Sequence, residues 1–250
     1  MLENKKIPLM IASAVIGIII VIALFQNKSG NKISTAIDAV PLNAAVIFET
    51  KDAGELLNIL KSNEGIIAGL EKSNSFNSYS GKFLELFDLF EKNSEIRAFL
   101  KNRSFVISLH QSQEFEVSKL FVSSADKKEF NKLEKSLKKI YSGAKKSTIK
   151  YGDAEIYNYK FPETPEESFS FTHYDKYFLL GSSEIVIEKS IRKIQTAGSF
   201  IDDQKFHEVS ELTNDARHRL FINYERLPLV LSKLLKHNKS TIEFISKFAD

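Results

Sequence analysis

"STIKYGDAEIYNYKFPETPEESFSFTHYDKYFLLGS", residues 147–182, decides the fold, because its polarity changes with every residue rather than every third or fourth. "STIKY" and "EIYNYKF" flank a Gly152-Asp153 turn, "PETPEE" is a Pro-containing loop, and "SFSFTHY" and "YFLLGS" complete the series. Period-two alternation broken by turn residues predicts antiparallel strands joined by hairpins, here a four-stranded meander. Among its aromatics, which include Tyr157, Tyr159 and Phe178, Phe169 and Phe171 read as core, each cross-strand pair contributing about 0.2–1 kcal/mol. The competing reading is an exposed platform for a stacked ligand, and the absence of Trp weakens a carbohydrate version of it.

Upstream the period lengthens. Asp126 and Glu129 have capping-box spacing ahead of Phe130, Leu133, Leu137, Ile140 and Tyr141, which fall on one helical stripe. Earlier come the strands "AAVIFET" (44–50), "SFVISL" (104–109) and "VSKLFVSS" (117–124). Helical patterns sit between them in "AGELLNILK" (53–61, capped by Asp52 and Glu55), "KFLELFDLFEK" (82–92) and "SEIRAFLK" (94–101). Downstream, "EIVIEKSIRKI" (184–194) and "DDQKFHEVSEL" (202–212) are helices, the second with Asp202 as N-cap and Phe206, Val209 and Leu212 as its apolar stripe. Gly181-Ser182-Ser183 reads as the cap of the first. Strands in runs with interspersed helices imply an α+β domain: an antiparallel sheet with helices packed on one face.

Two features lie outside that domain. "RLFINYERLPLVLSKLLK" (219–236) repeats the strand-then-helix plan of "AAVIFETKDAGELLNILK" (44–61), matching Ile47 with Ile222, Leu56 with Leu231 and Leu60 with Leu235. It reads as the start of a second unit, and Ser240 and Glu243 cap one more helix. At the other end, Ile7 to Phe25 is 19 residues without a charge, twelve of them Ile, Leu, Val or Phe. As a helix it would reach roughly 28 Å, close to the hydrocarbon thickness of a bilayer. A cleaved signal peptide has a shorter apolar core and a small-x-small site, whereas this run ends in "ALFQNK", which favours an uncleaved anchor. Lys5, Lys6 and the amino terminus outweigh Lys28 and Lys32 slightly, pointing the amino terminus into the cytoplasm. Ser13 and Gly17 make a small-xxx-small pair that could bring two such helices together.

The expected organisation is therefore a cytoplasmic 1–6, a transmembrane anchor 7–25, a tether 26–40, an extracytoplasmic α+β domain 41–214, and the start of a second unit at 215–250, as in the front of a longer protein. Composition narrows the chemistry. There is no Cys, which excludes disulfides, thiolate metal sites and thiol catalysis. The chain carries 35 basic and 32 acidic residues, too even a balance for strong polyanion affinity overall. Locally the balance is uneven: residues 126–150 carry nine Lys against Asp126, Glu129 and Glu134, while 153–188 carry eight acids against Lys160 and Lys176. The basic stretch could meet phosphates or anionic lipid heads, although a solvated helix face is its ordinary explanation. No nucleic-acid-binding motif is present. Asn27, Asn102 and Asn238 would be glycosylation sequons in a eukaryotic source.

The strongest chemical constellation is Asp203, His207 and Glu211, spaced i, i+4, i+8. Three such groups on one helical face could bind a divalent metal, but the zincin pattern requires a second His where Glu211 stands. The trio also points away from the expected apolar stripe, toward solvent. Gly181-Ser182-Ser183 lacks both the P-loop lysine and the G-x-S-x-G elbow.

An anchor followed by "VPLNAAVIFETKDAGELLNIL" (40–60), "YFLLGSSEIVIEKSIRKIQTAGSFIDDQKFHEVSEL" (177–212) and "RLFINYERL" (219–227) resembles a family of uncharacterised bacterial membrane-anchored proteins, a domain of unknown function. The resemblance implies an extracytoplasmic domain of repeated α+β units and supplies no catalytic residue. The expectation is a single-pass protein of the cytoplasmic membrane with a binding or structural role in the envelope, without a cofactor. Its partners would be the bilayer, through residues 7–25, and an envelope protein, not nucleic acid. The alternative is a metal-assisted or acid–base hydrolase whose site assembles from distant residues.

Overall fold

The computed structural model describes residues 35–56, 92–101, 103–111, 117–162, 168–196, 200, 203–213 and 215–234. The anchor 7–25, the stretches 57–61 and 82–91, Asp202, the asparagines of the three sequons and the helix expected after Ser240 lie outside the described residues. Among the described residues no helix is long and apolar enough to cross a membrane.

Eight strands form one antiparallel sheet: β1 (Ala44–Thr50), β2 (Phe105–Gln111), β3 (Val117–Ser124), β4 (Lys145–Tyr151), β5 (Ala154–Lys160), β6 (Phe169–Tyr174), β7 (Tyr177–Gly181) and β8 (His218–Ile222). Their spatial order is β4-β5-β6-β7-β3-β2-β1-β8. The expected meander is present as β4 to β7, with Tyr151 opposite Ala154 across a two-residue turn. That turn needs φ near +61° at Gly152, a conformation costly for residues with a Cβ. Its mate between β6 and β7 places Asp175 at φ 53°, a left-handed conformation that Asp tolerates.

Five α-helices lie wholly within the described residues, which also hold the first turn, 53–56, of the helix that Asp52 caps: α1 (Ser94–Leu100), α2 (Lys127–Ile140), α3 (Glu184–Gln195), α4 (Gln204–Leu212) and α5 (Leu227–Leu234). They cover both faces of the sheet, which corrects the one-face expectation. On one face Ile47, Val106, Leu120, Val122, Ile156 and Leu179 pack with Val186, Ile187 and Ile191 of α3. On the other, Phe105, Tyr159, Phe171 and Phe178 pack with Ile96, Phe99 and Leu100 of α1 and Phe130, Leu133 and Leu137 of α2. The physical reason lies in "KLFV" and "YFLL": consecutive residues point to opposite faces, so an unbroken apolar run gives a strand two faces to bury. Gly181 ends β7 where α3 comes so close that a Cβ would lie 2.5 Å from Val186 Cγ1.

Two boundaries move. Thr35–Ala39 forms a 3-10 turn, and Ala36, Ile37, Ala39 and Val40 are buried, so the domain begins inside the stretch expected as tether. Ser190 Oγ donates to the Ala39 carbonyl at 2.6 Å, holding that turn against α3. At the far end β8 pairs with β1, Ile47 opposite Phe221, and closes the same sheet. The division expected at 214/215 thus separates no two sheets, and α5 lies against β1, β2 and β3. The strands of the two stretches that look alike in sequence are neighbours in one sheet.

Candidate functional site

Buried polar side chains are the first place to look for chemistry, because each needs a partner. Glu49 and Arg219 face each other across β1 and β8, 1% and 2% exposed, with Arg219 Nε donating to Glu49 Oε2 at 2.8 Å. Arg219 Nη2 lies against the same oxygen. Beside them the Thr50 hydroxyl donates to the Asp52 carbonyl at 3.0 Å, so His218 Nδ1 donates to Thr50 Oγ1 at 2.8 Å. Burial pushes the His218 pKa down against the pull of Glu55 and Asp52.

On β2, Ser108 and His110 share one face, two residues apart. Ser108 Oγ lies 2.8 Å from His110 Nε2, and Asn43 Oδ1 lies 3.1 Å from His110 Nδ1. With an amide oxygen accepting from Nδ1–H, Nε2 is left to accept from the serine hydroxyl. The connectivity is that of a nucleophile, a base and an orienting group. The environment is not. Ser108 is 0% and His110 1% exposed, and burial, then Lys189 and Arg226, lowers the His110 pKa to about 3. A base that weak holds no proton near neutrality, and a buried hydroxyl meets no substrate. The trio ties the segment before β1 to β2.

The open polar site lies where the amino end of α2 meets the β4–β5 hairpin. A cleft of about 300 Å³ is lined by Lys127, Lys150, Asp153, Glu155, Tyr157 and His173, with Phe130 as its apolar wall. The capping box places α2 there: Asp126 Oδ1 accepts from Glu129 N at 2.7 Å and Glu129 Oε2 from Asp126 N at 3.0 Å. His173 Nε2 donates to the Ala125 carbonyl at 2.9 Å, which fixes its ring 5.5 Å from Phe130. Tyr157 donates to Glu155 Oε2 at 3.1 Å, and its pKa is pushed up to about 12 by burial and then by Glu155. Tyr157 is therefore a donor at every physiological pH. Two ammonium groups, two carboxylates, an imidazole and a phenol suit recognition of a small group bearing both donors and acceptors.

Around this cleft the surface is basic. Lys127, Lys128, Lys132, Lys135, Lys138 and Lys139 of α2 are all exposed, as are Lys145, Lys146 and Lys150 of the edge strand β4. The acids of the stretch are engaged locally: Asp126 and Glu129 in the capping box, Glu129 also with Arg103, and Glu134 with Lys138 at 2.6 Å. Lys146 Nζ reaches the Lys138 carbonyl at 3.4 Å, so helix and strand make one continuous surface. A second cleft, about 350 Å³, opens between α1 and α2 beside Lys92, Lys135 and Lys139.

The sequence-derived trio fares differently. Asp203, not Asp202, is the N-cap of α4, accepting from Phe206 N at 3.0 Å, while His207 and Glu211 are exposed on the helix. Among the described residues no group of three His, Asp or Glu side chains could hold a metal ion. The stripe below them is also corrected: Phe206 is half-buried against Phe200 and Phe221, but Val209 and Leu212 are 50% and 86% exposed. Buried Ser210 faces inward instead, and its carbonyl accepts from Arg219 Nη1 at 3.5 Å. Ser183 caps α3 in position only; Ser182 Oγ accepts from Lys119 N at 3.0 Å, tying the strand end to β3. Of the meander aromatics, Tyr159, Phe171, Tyr177 and Phe178 are buried core, Phe169 is partly buried against them, and Tyr157 lines the cleft.

Comparison with protein-family models, with curated proteins and with solved structures finds no match for this chain. Sequence reasoning missed the Ser108–His110 pair, although i, i+2 spacing on a strand puts two residues on one face. It also missed the cleft, whose lining comes from α2, β4, β5, β6 and a turn.

Proposed function

We propose that this chain is a single-pass membrane protein whose α+β domain stands outside the cytoplasm and binds a partner, rather than catalysing a reaction. The observation that carries the binding role is the unbroken lysine surface of α2 and β4, with the polar cleft at one end. A solvated protein surface ordinarily intersperses both signs, whereas here the acids are drawn into caps and ion pairs and the lysines stay exposed, three of them with Nζ over the rings of Phe130, Tyr157 and Tyr159. The interior polar groups have structural work already, joining β1 to β8 and β2. The tether reading comes from the apolar stretch 7–25.

Two measurements test it. Alkaline carbonate washing of membranes should leave the chain in the pellet, and protease added to spheroplasts should degrade the domain. A chain recovered in the wash, or protected in intact spheroplasts, defeats the tethered reading. Cross-linking through the α2 lysines should then capture the partner, and capture that survives their replacement by Gln would assign binding to another surface.

A further inference from the structure

We propose that the α2–β4 lysine surface docks on the anionic headgroups of the bilayer to which the chain is tethered. The inference rests on the reading of a membrane-anchored domain and names the partner of its basic surface.

At about 100° per residue, the six lysines of α2 fall within an arc of about 140°, with Asn131 near its middle. No acidic residue of the helix lies inside that arc; Glu134 flanks it and is paired with Lys138. The arc points away from Phe130, Leu133 and Leu137, which are buried against the sheet. Lys146 and Lys150 of β4 pair with Tyr159 and Glu155 and so share the sheet face that α2 covers. The result is a broad surface formed by a helix lying beside an edge strand, not a groove that would grip a single extended chain. Asp153 and Glu155 sit only at its end, in the cleft.

Reach favours the bilayer over a soluble polyanion. Described structure begins at Thr35, and nine residues separate it from the apolar stretch ending at Phe25. Nine residues span at most about 30 Å, so the bilayer never leaves the neighbourhood of the domain. The described chain begins on the α3 face, opposite α2, so the lysine surface meets the bilayer only when the domain turns that face toward it; at the millimolar effective concentration that tethering gives, weak individual ammonium–headgroup attractions suffice to hold it there.

The test uses the full chain, whose lack of cysteine allows a single label. Asn131→Cys places an environment-sensitive fluorophore in the middle of the arc, and Glu208→Cys places one on exposed α4 as a control. Each protein is incorporated into nanodiscs of phosphatidylcholine alone or with about a third phosphatidylglycerol, and quenching by neutral acrylamide is read. Anionic lipid should protect the Asn131→Cys label about threefold, leave the Glu208→Cys label unchanged, and lose its effect in about 0.5 M salt. Replacing Lys132, Lys135 and Lys139 by Gln should abolish the protection. Equal quenching in the two lipids, or protection that survives those replacements, overturns the proposal. So does protection by heparin in neutral discs where anionic lipid gives none, since that assigns the surface to a soluble polyanion. A chain that fails to enter the discs defeats the tether reading instead; its co-sedimentation with vesicles of the two compositions then decides the docking surface separately, anionic-selective pelleting supporting it and equal pelleting refuting it.

Discussion

The two ends of the sheet are built on different principles. From β4 to β7 the strands follow one another through short connections and are welded by rings: Tyr159 stacks on Phe169 at 5.2 Å, Tyr157 on Phe171 at 5.4 Å, and Phe130 approaches Phe171 at 6.1 Å. From β2 to β8 the contacts join distant parts of the chain, and buried polar pairs are added to the apolar packing: Glu49 with Arg219, Thr50 with His218, and Asn43 with His110. Apolar packing supplies much of the stability but accepts many arrangements. A buried charge tolerates almost none, because any other register leaves it without a counter-ion. The meander end needs little help, since its turns set the register locally; the β1–β8 end has no turn to do so.

If that contrast is correct, the largest effect comes from separating the buried ion pair. Arg219→Met should cost about 3–5 kcal/mol by leaving Glu49 as an uncompensated charge, and adding Glu49→Met should restore much of the loss. Urea unfolding of the two variants measures it; equal destabilisation by both would show that the pair is not what holds β8.

Acid probes the same end. His110 is neutral in the folded protein, with its pKa lowered to about 3 from an ordinary 6.5. Above the unfolded value neither state binds the proton, so stability is flat there; below it the unfolded chain takes up a proton that the folded one refuses. Stability should therefore fall by about 2–3 kcal/mol from His110 alone between neutral pH and pH 4.5. His218, whose pKa is also lowered, acts with the same sign. His110→Gln should flatten the profile in urea melts across that range.

At the junction of the two ends, Gly181→Ala should cost about 1–3 kcal/mol by pushing Val186 and α3 off the sheet, read as a lowered thermal midpoint. In the meander half, Asp126→Ala removes one side of the capping box and should cost about 1 kcal/mol. Smallest of all is Tyr159→Phe. The Tyr159 hydroxyl is buried without a hydrogen-bond partner among the described residues, so its loss should be neutral within about 0.5 kcal/mol or slightly stabilising. A large loss there would make the aromatic half depend on polar contacts as well.

The same division explains what the sequence discloses. The strands 44–50 and 117–124, the meander and the Asp126–Glu129 box are legible because their signals lie within a few residues of one another. The pairing of β1 with β8 is not, since likeness between "AAVIFET" and "RLFINYE" suggests a repeat as readily as two neighbours in one sheet. Helices on both faces escape a reading that equates alternation with one wet side. For the site, the excess of lysine is plain in residues 126–150 and the Asp126–Glu129 box is local, but that Glu129 also meets Arg103 and that β4 lies beside α2 needs the fold. Val209 and Leu212 show the reverse error: helical spacing alone marks an apolar stripe, yet they are exposed and Ser210 is buried, with its carbonyl toward Arg219.

The distance along the chain between Glu49 and Arg219 also sets a timetable. β1 leaves the ribosome long before β8, and at about 5–20 residues per second the interval is roughly 10–30 s. For that time Glu49 lacks Arg219, and the β8 side of β1 is open. The nascent domain must wait, solvated at that margin, for its last strand to arrive. Completion of the sheet is thus a late, single event, and a chain halted before residue 219 would present a carboxylate where the finished protein has an ion pair.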